Sequence, residues 1–222
     1  MARVSNDEVL RRIGSAGVIP VVTLPSVDDA APLCEALLDG GLSVVEVTFR
    51  TEAVAAAIAA IAERYPEMLV GAGTVTDTRQ VALAAAAGAR FGVSPGTSPA
   101  VVRAAHASGL VFWPGVCTPT EIERALDLGV TTMKFFPAGA LGGADVVRAM
   151  LAPYLHLGVR LIPTGQIDDS SAPEYWALHG VVAVGGSWIA PTDLIAEGAW
   201  DEISRRARAA TVRYRALRGE YA

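Results

Sequence analysis

Short runs of apolar, largely β-branched residues alternate along the chain with longer stretches whose apolar positions recur every three to four residues. The alternation repeats about every 20 to 30 residues, which is the pattern of βα units feeding a parallel sheet. It predicts strands over 18–24, 42–49, 69–73, 90–94, 110–114, 131–135, 160–163 and 181–185. It predicts helices over 7–16, 28–39, 52–64, 78–87, 99–107, 119–128, 144–151, 172–178 and 198–217. Eight strands, each followed by a helix, count out to an α/β fold of the (β/α)8 TIM-barrel type with an extra N-terminal helix. No linker or low-complexity tract divides the sequence, so residues 1–222 are expected to form one domain. Punctuation agrees with the count. Asp39-Gly40-Gly41, Ala87-Gly88, Ser108-Gly109 and Leu128-Gly129 put glycine where a helix should stop. Ser98-Pro99 and Thr118-Pro119 put a cap residue before a proline at the first helical position.

Composition narrows the function classes. Hydrophobic residues make up 52% of the chain and charged ones 18%, which excludes extensive disorder. Uncharged stretches such as 104–120 are broken by glycine and proline and make poor membrane spans. The charged start, MARVSNDEVLRR, lacks the apolar run of a signal peptide, so a cytoplasmic protein is expected. A net charge of −5 argues against nucleic acid as the main partner. The cluster Arg205, Arg206, Arg208, Arg213, Arg215 and Arg218 fits the solvated side of a terminal helix, with Ile203, Ala207, Ala210 and Leu217 between. Cys34 and Cys117 show neither disulfide nor zinc spacing, and His106, His156 and His179 form no paired-ligand motif, which leaves metal chemistry unsupported but open.

In a barrel of this kind the active site is built from the C-terminal end of each strand and the loop after it. Lys134 is the only lysine against seventeen arginines, and it sits in the apolar run Thr132-Met133-Lys134-Phe135-Phe136. Alternation puts Thr132, Lys134 and Phe136 on one face, toward the interior. Arginine stays protonated at working pH, whereas a lysine in an apolar setting can lose its proton and attack a ketone. The Schiff base so formed is an electron sink for making or breaking an adjacent carbon–carbon bond. The competing reading is a structural pair with a buried carboxylate. Glu46, Thr48 and Arg50 share a face of the second strand, with Val45, Val47 and Phe49 on the other. Glu46 can move protons beside the amine, and Arg50 at the mouth suits a substrate carboxylate, with Thr74 as an added hydroxyl donor. A plain Glu46–Arg50 salt bridge is the structural alternative. Thr164-Gly165-Gln166 and Gly185-Gly186-Ser187, after the last two strands, fit a barrel phosphate site read by backbone N–H groups and the Ser187 hydroxyl.

The runs Val45-Glu46-Val47-Thr48-Phe49-Arg50-Thr51, Gly71-Ala72-Gly73-Thr74-Val75, Ser94-Pro95-Gly96, Lys134-Phe135-Phe136-Pro137-Ala138, Pro163-Thr164-Gly165 and Val184-Gly185-Gly186-Ser187-Trp188 occur in that order. Together they resemble the class I 2-dehydro-3-deoxy-phosphogluconate (KDPG) aldolases, which also act as 4-hydroxy-2-oxoglutarate (KHG) aldolases. The resemblance implies a metal-independent lyase, typically a homotrimer, that cleaves the sugar-acid phosphate to pyruvate and glyceraldehyde 3-phosphate in the Entner–Doudoroff pathway. It makes Lys134 the Schiff-base lysine and Glu46 the general acid/base. Arg50 and Thr74 would hold the pyruvate carboxylate, Phe136 would pack on pyruvate, and Pro95 would join the substrate contacts. Thr164 would shape stereochemical choice, while Gly165, Gly186 and Ser187 would contact phosphate.

Two positions depart from that family's pattern. Gln166 stands where a second glycine is usual, and Gly139 where glutamate is frequent. A residue with a side chain is strained at 166 if the loop needs φ > 0 there, so the preferred aldehyde is expected to differ or to lack phosphate. Other readings are an aldolase for another 2-keto-3-deoxy acid, such as the galactonate epimer, and an isomerase or synthase binding a phosphorylated metabolite. A non-enzymatic phospho-ligand sensor is the remaining one.

Overall fold

The computed structural model describes residues Ser5–Gly219. Helix α1 (Asn6–Ala16) precedes strand β1 (Val18–Val22), and α2 (Ala30–Asp39) leads to β2 (Val44–Thr48). Then come α3 (Val54–Arg64), β3 (Leu69–Gly73), α4 (Thr78–Ala86), β4 (Phe91–Val93), α5 (Pro99–Ser108) and β5 (Val111–Trp113). The second half holds β6 (Gly115–Val116), α6 (Pro119–Asp127), β7 (Thr132–Phe135), α7 (Gly143–Leu151), β8 (Arg160–Pro163) and α8 (Ala172–Trp176). It ends in β9 (Val184–Gly186), α9 (Thr192–Ala196) and α10 (Trp200–Arg218).

All strand pairings are parallel. One run is ordered β5-β4-β3-β2-β1-β9 and another β6-β7-β8. Only Pro114 separates β5 from β6, because a residue without an N–H cannot donate to the ladder. Single bridges, Leu161 with Val181 and Thr164 with Gly185, join β8 to the β9 segment. The sheet is strongly curled. Between β2 and β7 stand β3, β4 and the β5–β6 strand, so a flat sheet would hold their side chains nearly 20 Å apart at about 4.8 Å per strand. Instead, Lys134 of β7 donates to Glu46 of β2 over 3.1 Å.

Strand alternation sorts the apolar side chains into two cores. Val45, Val47, Val70, Ala72, Met133, Phe135 and Leu161 face the helices and join the apolar stripes of α2 through α8 and α10. Ile19, Val44, Leu69, Phe91, Trp113 and Ile162 point inward, and α1 plugs the N-terminal end of the strands with Val9, Leu10 and Ile13. Phe91 and Trp113 stack there at 5.3 Å. The interior is therefore apolar at one end of the strands, and at the other it holds Glu46 and Lys134.

The differences from the predicted elements are local. The fifth predicted strand, 110–114, is regular over Val111–Trp113 and the ladder resumes beyond Pro114 at Gly115–Val116; the eighth is regular only from Val184, with Val181 held by one bridge. Helix α9 has too short an apolar pattern to be anticipated. Thr118 makes a full capping box with Glu121, whereas Ser98 caps α5 with no side-chain bond. Leu217 is exposed, and Tyr214 is the last buried residue of α10. The arginines of that helix do lie outside: Arg205 and Arg206 pair with Glu202, Arg208 with Asp39 and Arg213 with Asp169. Among the described residues no helix is long and apolar enough to cross a membrane.

Candidate active site at the C-terminal ends of the strands

The interior face of β2 begins apolar at Val44 and turns polar at Glu46 and Thr48. Thr48 is fully engaged: its hydroxyl donates to the Val22 carbonyl at 3.0 Å and lies 2.9 Å from the Thr23 hydroxyl. Glu46 pairs with Lys134 rather than with Arg50, which is exposed one turn beyond the strand. Register carries the pair to one level. Gly71 aligns with Glu46 on one strand neighbour, and Gly115 and Ile162 flank Lys134 on both sides.

The Lys134–Glu46 contact is buried, at 6% and 2% residue exposure. Burying two charges costs several kcal/mol each unless they are paired, and here each is the other's partner. A proton moved along that hydrogen bond leaves a neutral amine and a carboxylic acid, which removes both charges from the apolar interior. The Nζ also sits 5.7 Å from the centre of the Phe136 ring. That ring in turn packs over Gly165, where a Cβ would lie 3.1 Å from it. Phe136 thus links the buried amine to the loop after β8.

Two features of the site are not legible in any local pattern. A Cβ at Gly73 would overlap the Glu46 carboxylate, so the glycine is the space the carboxylate occupies. The next residue, Thr74, has φ 57, an outlying conformation for a β-branched side chain. The chain bears this strain where β3 opens onto the mouth. Ser94 donates to the Gly96 carbonyl at 2.6 Å and shapes the turn around exposed Pro95, against which Gly115 packs too closely for any Cβ.

The loops after β8 and β9 are built differently. Thr164 is buried, its hydroxyl filling the space beside Gly185, and Gly186 makes room for the Trp188 ring. Both glycines are therefore demanded by packing within the protein, whatever else they admit. Ser187 is exposed beyond them. Gly165 has φ 98 and Gln166 has φ 54, so position 166 does need the left-handed region and glutamine adopts it at a cost.

The two positions singled out in the sequence, Gly139 and Gln166, touch. Gly139 donates to the Gly165 carbonyl at 2.9 Å, and Ala138 donates to that of Thr164 at 2.8 Å. A Cβ at 139 would meet the Gln166 Cβ at 2.7 Å and its carbonyl at 2.8 Å. Asp168 then ties the start of α8, accepting from the backbone and hydroxyl groups of Ser170 and Ser171 at 2.7–3.0 Å. Those bonds hold its carboxyl down at about 2. Cys34 lies in the core, where burial pushes its thiol up to about 12, and Cys117 is partly buried; both are free. Among the described residues no group of three or more His, Cys, Asp or Glu side chains is placed to hold a metal ion.

Known proteins share this fold. Residues 9–206 match the aldolase family described as KDPG and KHG aldolase. A 2-dehydro-3-deoxy-phosphogluconate aldolase of Treponema pallidum is 47% identical over 197 residues, covering 89% of this chain and 91% of its own. A crystal structure of the Legionella pneumophila KDPG aldolase, with pyruvate captured as a covalent carbinolamine, superimposes with a TM-score of 0.88 at 36% identity. It covers 94% of this chain and 99% of that one. The corresponding Zymomonas mobilis aldolase, crystallised with 3-phosphoglycerate, gives a TM-score of 0.83 at 36% identity over 95% and 96% of the two chains. With a match of this length and relatives of this identity, the chain belongs to the KDPG and KHG aldolase family.

Proposed function

We propose that this protein is a class I aldolase that cleaves 2-dehydro-3-deoxy-6-phosphogluconate to pyruvate and glyceraldehyde 3-phosphate. By the same chemistry it would split 4-hydroxy-2-oxoglutarate to pyruvate and glyoxylate. The observation that carries the reading is the buried Lys134–Glu46 pair, 3.1 Å apart at the C-terminal end of the strands. The name borne by the Treponema relative and the covalent pyruvate adduct of the Legionella enzyme support it.

The steps start from the pair. Glu46 takes the ammonium proton, and the Lys134 amine adds to the 2-keto carbon to give a carbinolamine. Loss of water, with a proton returned by Glu46, leaves the imine. A base then removes the 4-hydroxyl proton, the C3–C4 electrons flow into the imine, and the aldehyde departs. Protonation of the enamine at C3 and hydrolysis release pyruvate and restore the amine. The imine itself is the electron sink, so the bond cleavage needs no metal.

Arg50 and Thr74 receive the pyruvate carboxylate, with Phe136 against its carbon chain and Pro95 at the rim. Thr164, Gly165, Gly186 and Ser187 face the aldehyde portion and its phosphate. The 3-phosphoglycerate bound by the Zymomonas aldolase is in keeping with an anion at that end. A second reading rests on Gln166. Its side chain comes directly after Gly165 in the loop assigned to phosphate, which favours an unphosphorylated acceptor, and relative kcat/KM for phosphorylated and unphosphorylated substrates decides between the two.

The remaining expectations belong to the same proposal. The strand order and the two bridges fit one closed (β/α)8 barrel with α1 as its extra N-terminal helix, formed by residues 1–222 as a single domain. We place it in the cytoplasm as a homotrimer without a metal cofactor. Borohydride added with pyruvate tests the chemistry. The expected result is a stable pyruvyl adduct on Lys134, located by peptide mass; folded protein that releases pyruvate from substrate yet traps nothing on Lys134 would overturn it.

A further inference from the structure

A cavity of about 610 Å³ lies at the end of the strands remote from Lys134. It opens between the C-terminal part of α1, the entrances to β8 and β9, and α10. Among the described residues four basic side chains line it, Arg11, Arg160, His179 and Arg218, and no aspartate or glutamate does. The protein as a whole is acidic, with a net charge of −5, so this concentration of one sign runs against its average. Among the described residues no ion pair engages any of the four, whereas Arg205, Arg206, Arg208 and Arg213 of the same terminal helix are each held by a carboxylate. The inner wall is firm. Trp176 and Tyr214 are buried, meet edge to face at 5.2 Å, and spend their polar atoms on the carbonyls of Gly17 and Gly14.

We propose that this cleft is a second binding site, separate from the aldolase centre, for a small anion bearing two or more negative charges. Several guanidinium groups lining one concave, low-dielectric wall raise the local concentration of such an ion and offer paired N–H donors to its oxygens. Phosphate and carboxylate groups share that chemistry. The site does not depend on the Schiff-base reading, because none of its residues belongs to the candidate active site. Through β8 and β9 it lies on the same strands that carry Thr164 and Gly186 to the mouth.

The test is titration calorimetry at low ionic strength with pyrophosphate and, separately, citrate as probes. Wild-type protein is compared with Arg11→Gln/Arg160→Gln, with His179→Gln/Arg218→Gln, which alters only exposed side chains, and with Ser187→Ala at the other end. The expected result is binding of at least one probe that weakens about tenfold or more in each double variant. It should persist in Ser187→Ala and fall as sodium chloride is added. Pyruvate release should be unchanged in the double variants, which also reports that they are folded. Absence of binding to wild type, equal binding by folded double variants, or loss of all binding in Ser187→Ala would each overturn the proposal.

Discussion

The two sides of the strand mouth are made of different material. On the side of β2, β3 and β7, the candidate site rests on side chains: one amine, one carboxylate and the glycine that leaves the carboxylate its space. On the side of β8 and β9 it rests on backbone, with Gly165 and Gln166 at positive φ and Gly185 and Gly186 packed under Thr164 and Trp188. A buried ion pair tolerates little partial change, because removing either partner leaves the other charge buried and unpaired. A backbone-built loop can exchange residues as long as its path survives. The difference teaches why Gln166, and Gly139 that packs against it from the loop after β7, can vary where Lys134 and Glu46 cannot.

The sharpest way to break this contrast is Lys134→Ala, expected to cut pyruvate release by about 10⁴-fold or more while circular dichroism stays native. Lys134→Arg should fare no better, because a guanidinium cannot form the imine. Substantial turnover in the arginine variant would mean the lysine serves only as a charge. Glu46→Gln should come next, a loss of about 10²–10⁴-fold, the usual worth of a positioned acid/base. Deuterium exchange into the pyruvate methyl group reads the first side alone, and it should slow together with cleavage in this variant.

The second side should respond in stability and aldehyde choice, not in that exchange. Gly139→Ala is expected to cost about 1–3 kcal/mol by overpacking against Gln166. Gln166→Gly should raise stability by about 0.5 kcal/mol, the left-handed penalty of about 1–2 less the added freedom of the unfolded chain. With the Gln166 Cβ gone, Gly139→Ala should cost less, although its clash with the carbonyl remains. Denaturant melts of the four proteins should give a coupling of about 0.5 kcal/mol or more, and strict additivity would dissolve the pair. Methyl exchange should be unaltered throughout.

The smallest effect is expected at Asp168. Its carboxyl titrates lower in the folded chain than in the unfolded one, so its contribution is complete above the ordinary value of about 3.9 and disappears as pH falls through about 2. The side chain is exposed, which keeps the contribution modest. Asp168→Ala should lower Tm by about 1–3 °C at neutral pH, and the gap to wild type should narrow on acidification from pH 4 toward 2.5.

Much of this was readable in one dimension. Strand and helix positions come from hydrophobic period, and Thr118-Pro119 announced a cap that the structure completes with Glu121. The isolation of Lys134 in an apolar strand already marked it as costly and hence purposeful. The rest needed contacts across the chain. Pro114 splitting a strand, Arg50 left without Glu46, and Gly186 serving Trp188 are outcomes of what stands opposite, which local pattern does not encode.

Residue identity and period are local properties, so the order of βα units, the apolar faces and the chemistry of the single lysine were determined by the sequence itself. The meeting of Glu46 and Lys134, 88 residues apart, was decided by the curl of the sheet, because nothing else brings β2 and β7 within a hydrogen bond of each other. The same holds for the left-handed turns at Thr74 and Gln166 and for the glycines at 73 and 139. The two glycines face an atom arriving from another strand or loop, Glu46 at Gly73 and Gln166 at Gly139, and only packing in three dimensions sets where that atom lies.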